Sequence, residues 1–412
     1  MTKEIKSRIV QIKAKKVPEG YVKTKAGLMP SDWNINKKAK EVFRRHTDKK
    51  HDDSLEILAA TQENGIVPRS QIKIDIKCSE EGINGYKKVD AGDFVISLRS
   101  FQGGIEYSPY DGIVSPAYTV LKAAVPISSE YYKNYFKTEE FISRLNTTIY
   151  GIRDGKQIGY EDFGDLIIHN PPLLEQQKIA DILARCDKVI ALKRAHIEEE
   201  KKVKKWLIQK LLDPKSTNVE TKRIKDVCYL STSNLAENTP NDYSFYYIDI
   251  SCINNGQIIK PTQKIVFKKA PVRARRIFKK NDILMSTVRP YLHAFAIADF
   301  DSADYIASTG FTVLCPKQKS YAGIIYHQLF SAALDKQYFS LLVGTNYPAL
   351  NTSDVALLKV TIPIGEENRI RISNLLFAEN KKIILYQKEL AVWQQKKKAL
   401  MQLLLTGIVR VK

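Results

Sequence analysis

Two stretches of the chain share one hydrophobic rhythm. From Glu175 to Leu212, and again from Glu366 to Leu405, there is no glycine or proline, and apolar residues recur at alternating steps of three and four among Glu, Lys and Gln. That spacing predicts long helices with a single apolar stripe, the seam of a coiled coil. In the first stretch the seam runs through Leu183, Cys186, Ile190, Ile197, Leu207 and Leu211, interrupted by Lys193, Glu200 and Lys204. In the second it runs through Leu376, Ile383, Tyr386, Leu390, Trp393, Leu400 and Leu404, interrupted by Glu379 and Lys397. Prolines 171, 172 and 363 set the starts, with Glu175 and Glu366 in the first turns; Asp213-Pro214 and Thr406-Gly407 set the stops. A helix of roughly 40 residues spans on the order of 60 Å.

Before each long helix the pattern changes to short β-branched and aromatic runs, such as "DFVISL", "YTVLKAAV", "FYYIDI" and "FTVLC", broken by Gly, Asn, Asp and Pro and mixed with helical stretches such as "SEYYKNYFKTEEFISRL". Compact α/β domains have this composition. The two halves also resemble each other. "IVSPAYTVL" aligns with "IASTGFTVL" (Ser115 with Ser308), and "KKWLIQKLL" with "KKALMQLLL" (Lys204 with Lys397), both 193 positions apart; "AGDFVISLRS" and "KNDILMSTVRP" align at 189. A duplication with one loop of altered length accounts for all three. The predicted fold is α/β: two duplicated α/β domains separated by a pair of long antiparallel coiled-coil helices, with pseudo-two-fold symmetry. The expected boundaries are 1–170 for the first domain, 171–213 for the first helix, 214–362 for the second domain, and 363–412 for the second helix and tail. Helices that leave the first domain and the second domain in turn meet most directly when antiparallel.

Composition adds a partner. With 65 Lys and Arg against 45 Asp and Glu, the formal charge is +20 over 412 residues, while 44% hydrophobic content belongs to a folded chain. The expected partner is a polyanion. Five scattered cysteines without zinc-ligand spacing, no apolar leader and no run of about 18 apolar residues lead to an expectation of a cytoplasmic protein.

The candidate catalytic motifs are all incomplete. "HNPPLLEQQ" contains Asn170-Pro171-Pro172, a fragment reminiscent of amino-methylating DNA methyltransferases, but Leu173 stands where an aromatic residue would stack on a flipped base. The second half has Thr361-Ile362-Pro363 there, retaining a helix-starting proline and not the asparagine. The motif therefore reads as the start of a helix. "FQGGIEY" has the wrong glycine spacing for a cofactor loop, and "GIRDGKQ" lacks the spacing of a phosphate-binding loop. "IDIKC" offers Asp75 and Lys77 without a supporting carboxylate, and the six histidines form no ligand cluster. No catalytic residue, no metal site and no cofactor of its own is expected.

The ordered set "NPPLLEQQKIADILARCDKVI", "KKWLIQKLLDP", "NDILMSTVRPYLHAFAIA", "NYPALNTSDVALLKVTIPI" and "KKKALMQLLLTG" resembles the specificity subunits of type I restriction-modification systems across nearly the full chain. The second helix departs from that pattern at Asn368-Arg369-Ile370-Arg371 and is expected to be two residues longer near its start. The resemblance implies two target-recognition domains, each reading half of a split double-stranded DNA sequence. It also implies two modification (methyltransferase) subunits and motor-nuclease restriction subunits as partners, which carry S-adenosylmethionine, ATP and Mg, with no chemistry on this chain. Candidate DNA contacts are loop cations, amides and aromatics: Arg99, Tyr107, Arg153 and Lys156 in the first domain, and Arg273, Arg275, Arg276, Arg289, Tyr291, Asn346, Tyr347 and Asn351 in the second. Arginine can bridge guanine and asparagine can read adenine, whereas the basic run from Val272 to Arg276 suits phosphates. Two other classes stand beside this reading: a self-contained DNA methyltransferase or nuclease, and a structural coiled-coil dimer that does not read DNA.

Overall fold

The computed structural model describes residues 3–14, 16–51, 55–61, 65–72, 83, 85–98, 104–147, 158–344 and 348–411. They fall into two units, Met1–Leu192 with Ala391–Lys412, and Lys193–Leu390. Both long helices therefore contribute one end to each unit.

Each unit is built on a four-stranded antiparallel sheet of the same strand order. In the first unit the order is Phe43–His46, Thr119–Ala123, Phe94–Ile96, Ile105–Tyr107. In the second it is Cys228–Leu230, Phe311–Pro316, Ile283–Ser286, Phe295–Ile297. The strands aligned by the internal repeat occupy equivalent places, so the duplication extends to topology. The second unit adds a sheet ordered Ile265–Val266, Ser244–Ile248, Tyr305–Ser308, Ala274–Ile277, with one parallel pairing, and a two-stranded sheet joining Val219–Arg223 to Lys359–Pro363.

The cores differ in chemistry. In the first unit Phe43, Phe94, Tyr132, Phe136, Phe141 and Phe163 are buried, with ring centroids about 5 to 6 Å apart, largely edge to face or tilted. The second unit packs aliphatic side chains such as Ile324, Ile325, Leu358 and Leu376 around Phe295 and Tyr338. Gly323 lets the helix Lys319–Gln328 approach the long helix closely, since a Cβ there would lie 1.9 Å from Ser373 Oγ and 2.6 Å from a Phe377 ring carbon.

The long helices are Leu173–Leu211 and Glu366–Leu404, each of 39 residues and starting 193 positions apart. The second helix is thus no longer than the first. The two extra residues, Ile364 and Gly365, lie ahead of it, where Gly365 takes a left-handed φ of 82°. Within each unit the helix ends run antiparallel. In the first, Lys397 Nζ lies 2.6 and 2.7 Å from the two carboxylate oxygens of Asp187. In the second, Lys193 meets Glu389 at 2.7 Å, Glu200 meets Lys382, and Lys204 meets Asn380 at 2.6 Å. Along the seam Leu183, Ile190, Ile197, Leu376, Ile383 and Leu404 are buried, while Leu207, Leu211, Leu390, Trp393 and Leu400 are half-buried.

The Asn-Pro-Pro segment is a bracket. The Asn170 Oδ1 accepts from Tyr132 Oη (2.9 Å) and Gln176 Nε2 (3.2 Å), and Gln176 also donates to Pro171 O (2.9 Å) and accepts from Ser128 N (2.9 Å). In the second unit Arg369, 193 positions after Gln176, donates to Pro363 O, Ser320 Oγ and Gln318 Oε1. Different residues thus close the same turn. Glu175, buried, accepts from Trp33 Nε1 (3.0 Å) and twice from Arg410 (2.8 Å each), and Arg410 also holds Asp32 bidentately. Both ring nitrogens of buried His169 face carbonyl oxygens, Leu405 O and Ala26 O, each at 2.8 Å. The C-terminal tail is therefore part of the first unit's core.

Candidate nucleic-acid interface

In the second unit four loop segments are stitched together by hydrogen bonds, mostly between backbone groups. The turn between strands Tyr305–Ser308 and Phe311–Pro316 donates from Thr309 N to Arg273 O (2.7 Å). Its Gly310 O accepts from both the amide (3.0 Å) and the hydroxyl (3.1 Å) of Thr287. Thr287 O then accepts from Leu350 N (2.9 Å), and Arg289 N donates to Pro348 O (2.9 Å). Arg273, Arg289 and Asn351 are thereby carried on one connected loop platform. Rigid backing of this kind lets loop side chains hold a fixed spacing against a ligand.

Individual side chains on the platform are held differently. Arg273 is exposed. Arg289 and His293 both take left-handed backbone, with φ of 47° and 55°, bracketing the turn Pro290–Leu292. Non-glycine residues adopt this conformation when surrounding structure imposes it, and such strain gathers at functional loops. His293 Nε2 sits 2.7 Å from Asp335 Oδ1, and Tyr291 stacks on Phe339 at 5.7 Å between centroids. Arg275 lies over the Phe267 ring at 4.7 Å and donates to Ala274 O; Arg276 donates to Asn234 Oδ1 at 3.1 Å. The Asn351 amide donates to Asp354 Oδ2, opening the helix Thr352–Leu357, and its side chain is exposed. In the first unit Tyr107 lies in a sheet strand, against Phe94 and beneath Lys133, and its hydroxyl is pushed up to about 12 by burial and by Glu130. Arg99, Arg153, Lys156, Asn346 and Tyr347 lie outside the described residues.

A larger basic feature lies beside the loop platform. From Lys260 to Asn281 there are nine cations (Lys260, Lys264, Lys268, Lys269, Arg273, Arg275, Arg276, Lys279 and Lys280) and no acid. Its signal in the sequence is an acid-free run, obscured by the intervening apolar strand residues Ile265, Val266, Ala274 and Ile277. Lys268, Lys269, Arg273, Lys279 and Lys280 are exposed, and Lys264 pairs with Asp304 at 3.0 Å. Val272, 83% exposed, projects beside Arg273, an apolar tip among cations. This strip joins the loop platform at Arg273.

Cys186, Cys228, Cys252 and Cys315 are free, and burial pushes the thiols of Cys228 and Cys315 up to about 12 and about 11, away from reactive thiolate. Among the described residues no group of His, Cys, Asp and Glu is placed to hold a metal ion, and no helix is long and apolar enough to cross a membrane.

The family described as type I restriction modification DNA specificity domain matches residues 30–201 and again residues 216–392. The chain belongs to that family. Among similar proteins is the type I restriction enzyme MjaVIII specificity subunit of Methanocaldococcus jannaschii, 24% identical over 354 residues, covering 79% of this chain and 80% of that one. Two solved structures share the fold of this specificity chain. The type I restriction-modification S subunit from M. genitalium covers 90% of this chain and 96% of its own at 15% identity and a TM-score of 0.55. A chain from work on complex assembly and conformational transition of the type I R-M system covers 96% and 100% at 14% identity and a TM-score of 0.52. The specificity chain is thus a DNA target-recognition subunit carrying the family's domain twice.

Proposed function

We propose that this specificity chain reads a bipartite DNA target, one half-site per α/β unit, and performs no chemistry of its own. The observation that carries this reading is the doubled recognition domain, with the same four-strand order in both units. A repeated reader suits two short sites with an unread gap, as paired modules do in other DNA-binding proteins. In the second unit Arg289 and Asn351 of the loop platform contact base edges, and the Lys260–Lys280 strip, Arg273 included, grips phosphates. The partners are two modification subunits and motor-nuclease restriction subunits; S-adenosylmethionine, ATP and Mg belong to them, and the assembly works in the cytoplasm. The MjaVIII relative is named as a type I specificity subunit, which supports such partners for this chain.

Methylation mapping tests the reading. DNA from a host expressing this chain with its cognate methyltransferase subunit is expected to carry a split, gapped adenine-methylation motif that vanishes when this chain is omitted. An assembled complex that leaves the methylation pattern unchanged would refute it.

A further inference from the structure

The internal repeat exposes an unequal pair. Lys204 and Asn380 of the second unit correspond, 193 positions apart, to Lys397 and Asp187 of the first. In the first unit the lysine has a carboxylate against it, at 2.6 and 2.7 Å. In the second, the Lys204 ammonium donates at 2.6 Å to the neutral Asn380 Oδ1 and lies over the Phe330 ring at 5.6 Å. Glu379, whose charge does act on Lys204, is engaged with Glu200 and Lys382, and its Oε1 is buried without a hydrogen-bond partner. His327, buried with neither ring nitrogen hydrogen-bonded, is kept neutral by burial and by Lys204 itself. A half-buried cation is stabilised most by an opposite charge in direct contact. Here the direct partner is an uncharged amide.

The same ammonium lines a cavity of about 1110 Å³ within the second unit, large enough for a nucleotide-sized molecule. One wall is apolar, with Tyr326, Phe330, Leu334 and Ile383. Lys201 and Lys205 line it from the same helix as Lys204, and of its acids Asp335 is already held by His293. Burial pushes the Lys204 ammonium down to about 8 while the site holds no anion. The cavity thus offers lysine cations beside an apolar wall, the arrangement that receives an anionic head on an apolar body.

We propose that this cavity binds a small organic anion of nucleotide size or below, whose charged group gives Lys204 the partner that Asp187 gives Lys397. The cavity is walled by the long helices and the helix Ala332–Leu341, and it borders the loop platform at Leu292 and His293, while none of Arg273, Arg289 and Asn351 lines it. The purified full-length chain would be titrated with adenosine monophosphate and, separately, with hexanoate, followed by saturation-transfer NMR and by the shift in melting temperature. Saturable binding is expected for at least one probe. A response to the nucleotide alone marks a phosphate-bearing ligand, and a response to hexanoate alone a carboxylate with an aliphatic body. Asn380→Asp supplies an internal counter-ion like that of the other repeat, so it should keep the melting temperature and weaken binding about tenfold or more, and Lys204→Met should weaken it likewise. Failure of both probes to bind the wild-type chain, or binding that survives either substitution in a folded protein, overturns the proposal.

Discussion

Glu175 shows how one side chain can carry the closure of a unit. Burial alone would raise its carboxyl, but the hydrogen bonds from Arg410 and Trp33 outweigh that and hold it below the usual carboxylate range. A carboxyl lowered in the folded state binds fewer protons there than in the unfolded chain. Its stabilising contribution is present above the unfolded value of about 4.3 and is lost as pH falls through the lower folded value. Glu175→Gln should therefore cost about 1–3 kcal/mol at neutral pH, with the difference from wild type narrowing in acid. Urea unfolding at several pH values checks both the size and the narrowing. Lys204 has the opposite sign. Its folded value near 8 against 10.5 for a free lysine means that the unfolded chain binds more protons between those limits, so stability should rise with pH across that window. The ligand-free Lys204→Met variant should lose this rise while the wild type keeps it.

At the scale of elements, the acid-free strip makes a prediction about salt. Each phosphate contact contributes about 0.9 to the slope of log affinity against log salt for duplex DNA. Replacing Lys268, Lys269 and Arg273 together by Gln should lower the slope by about 2 to 3 on a duplex of arbitrary sequence, with folding intact because all three side chains are exposed. Equal slopes for variant and wild type would remove the strip from the interface. Gly323 tests packing instead. Alanine there must displace Ser373 and Phe377, so Gly323→Ala should lower stability by about 1–3 kcal/mol without changing the salt slope. These elements were unequally legible in the sequence. The long helices and the helix-starting role of Asn170-Pro171-Pro172 follow from periodicity and punctuation, which are local signals, and the antiparallel pairing follows from the order of domains and helices along the chain. The extra length assigned to the second helix was misplaced because Ile364 and Gly365 are apolar or neutral and do not mark a boundary as sharply as Pro172 does. The loop platform is not legible as a unit, since Arg273, Thr287, Gly310 and Leu350 meet through hydrogen bonds, mostly between backbone groups, that form only once the sheet has folded.

For the whole molecule the question is whether each reader is self-contained. The two units have separate cores, aromatic in the first and chiefly aliphatic in the second, and separate four-stranded sheets. The second recognition segment enters and leaves through one small sheet, in which Val219 pairs with Pro363 and Arg223 with Lys359. Its two ends are therefore adjacent, a geometry that tolerates exchange, because both junctions fall in one hydrogen-bonded ladder that an incoming segment brings complete. Exchanging Val219 to Pro363 for the matching segment of another specificity subunit should leave the tail bracket at Glu175 and Arg410 untouched. In methylation mapping, one half of the gapped motif should change and the other half should persist. If both halves change in a folded chimera that still assembles with its methyltransferase partner, the units do not read independently, and the loop platform of one must depend on residues of the other.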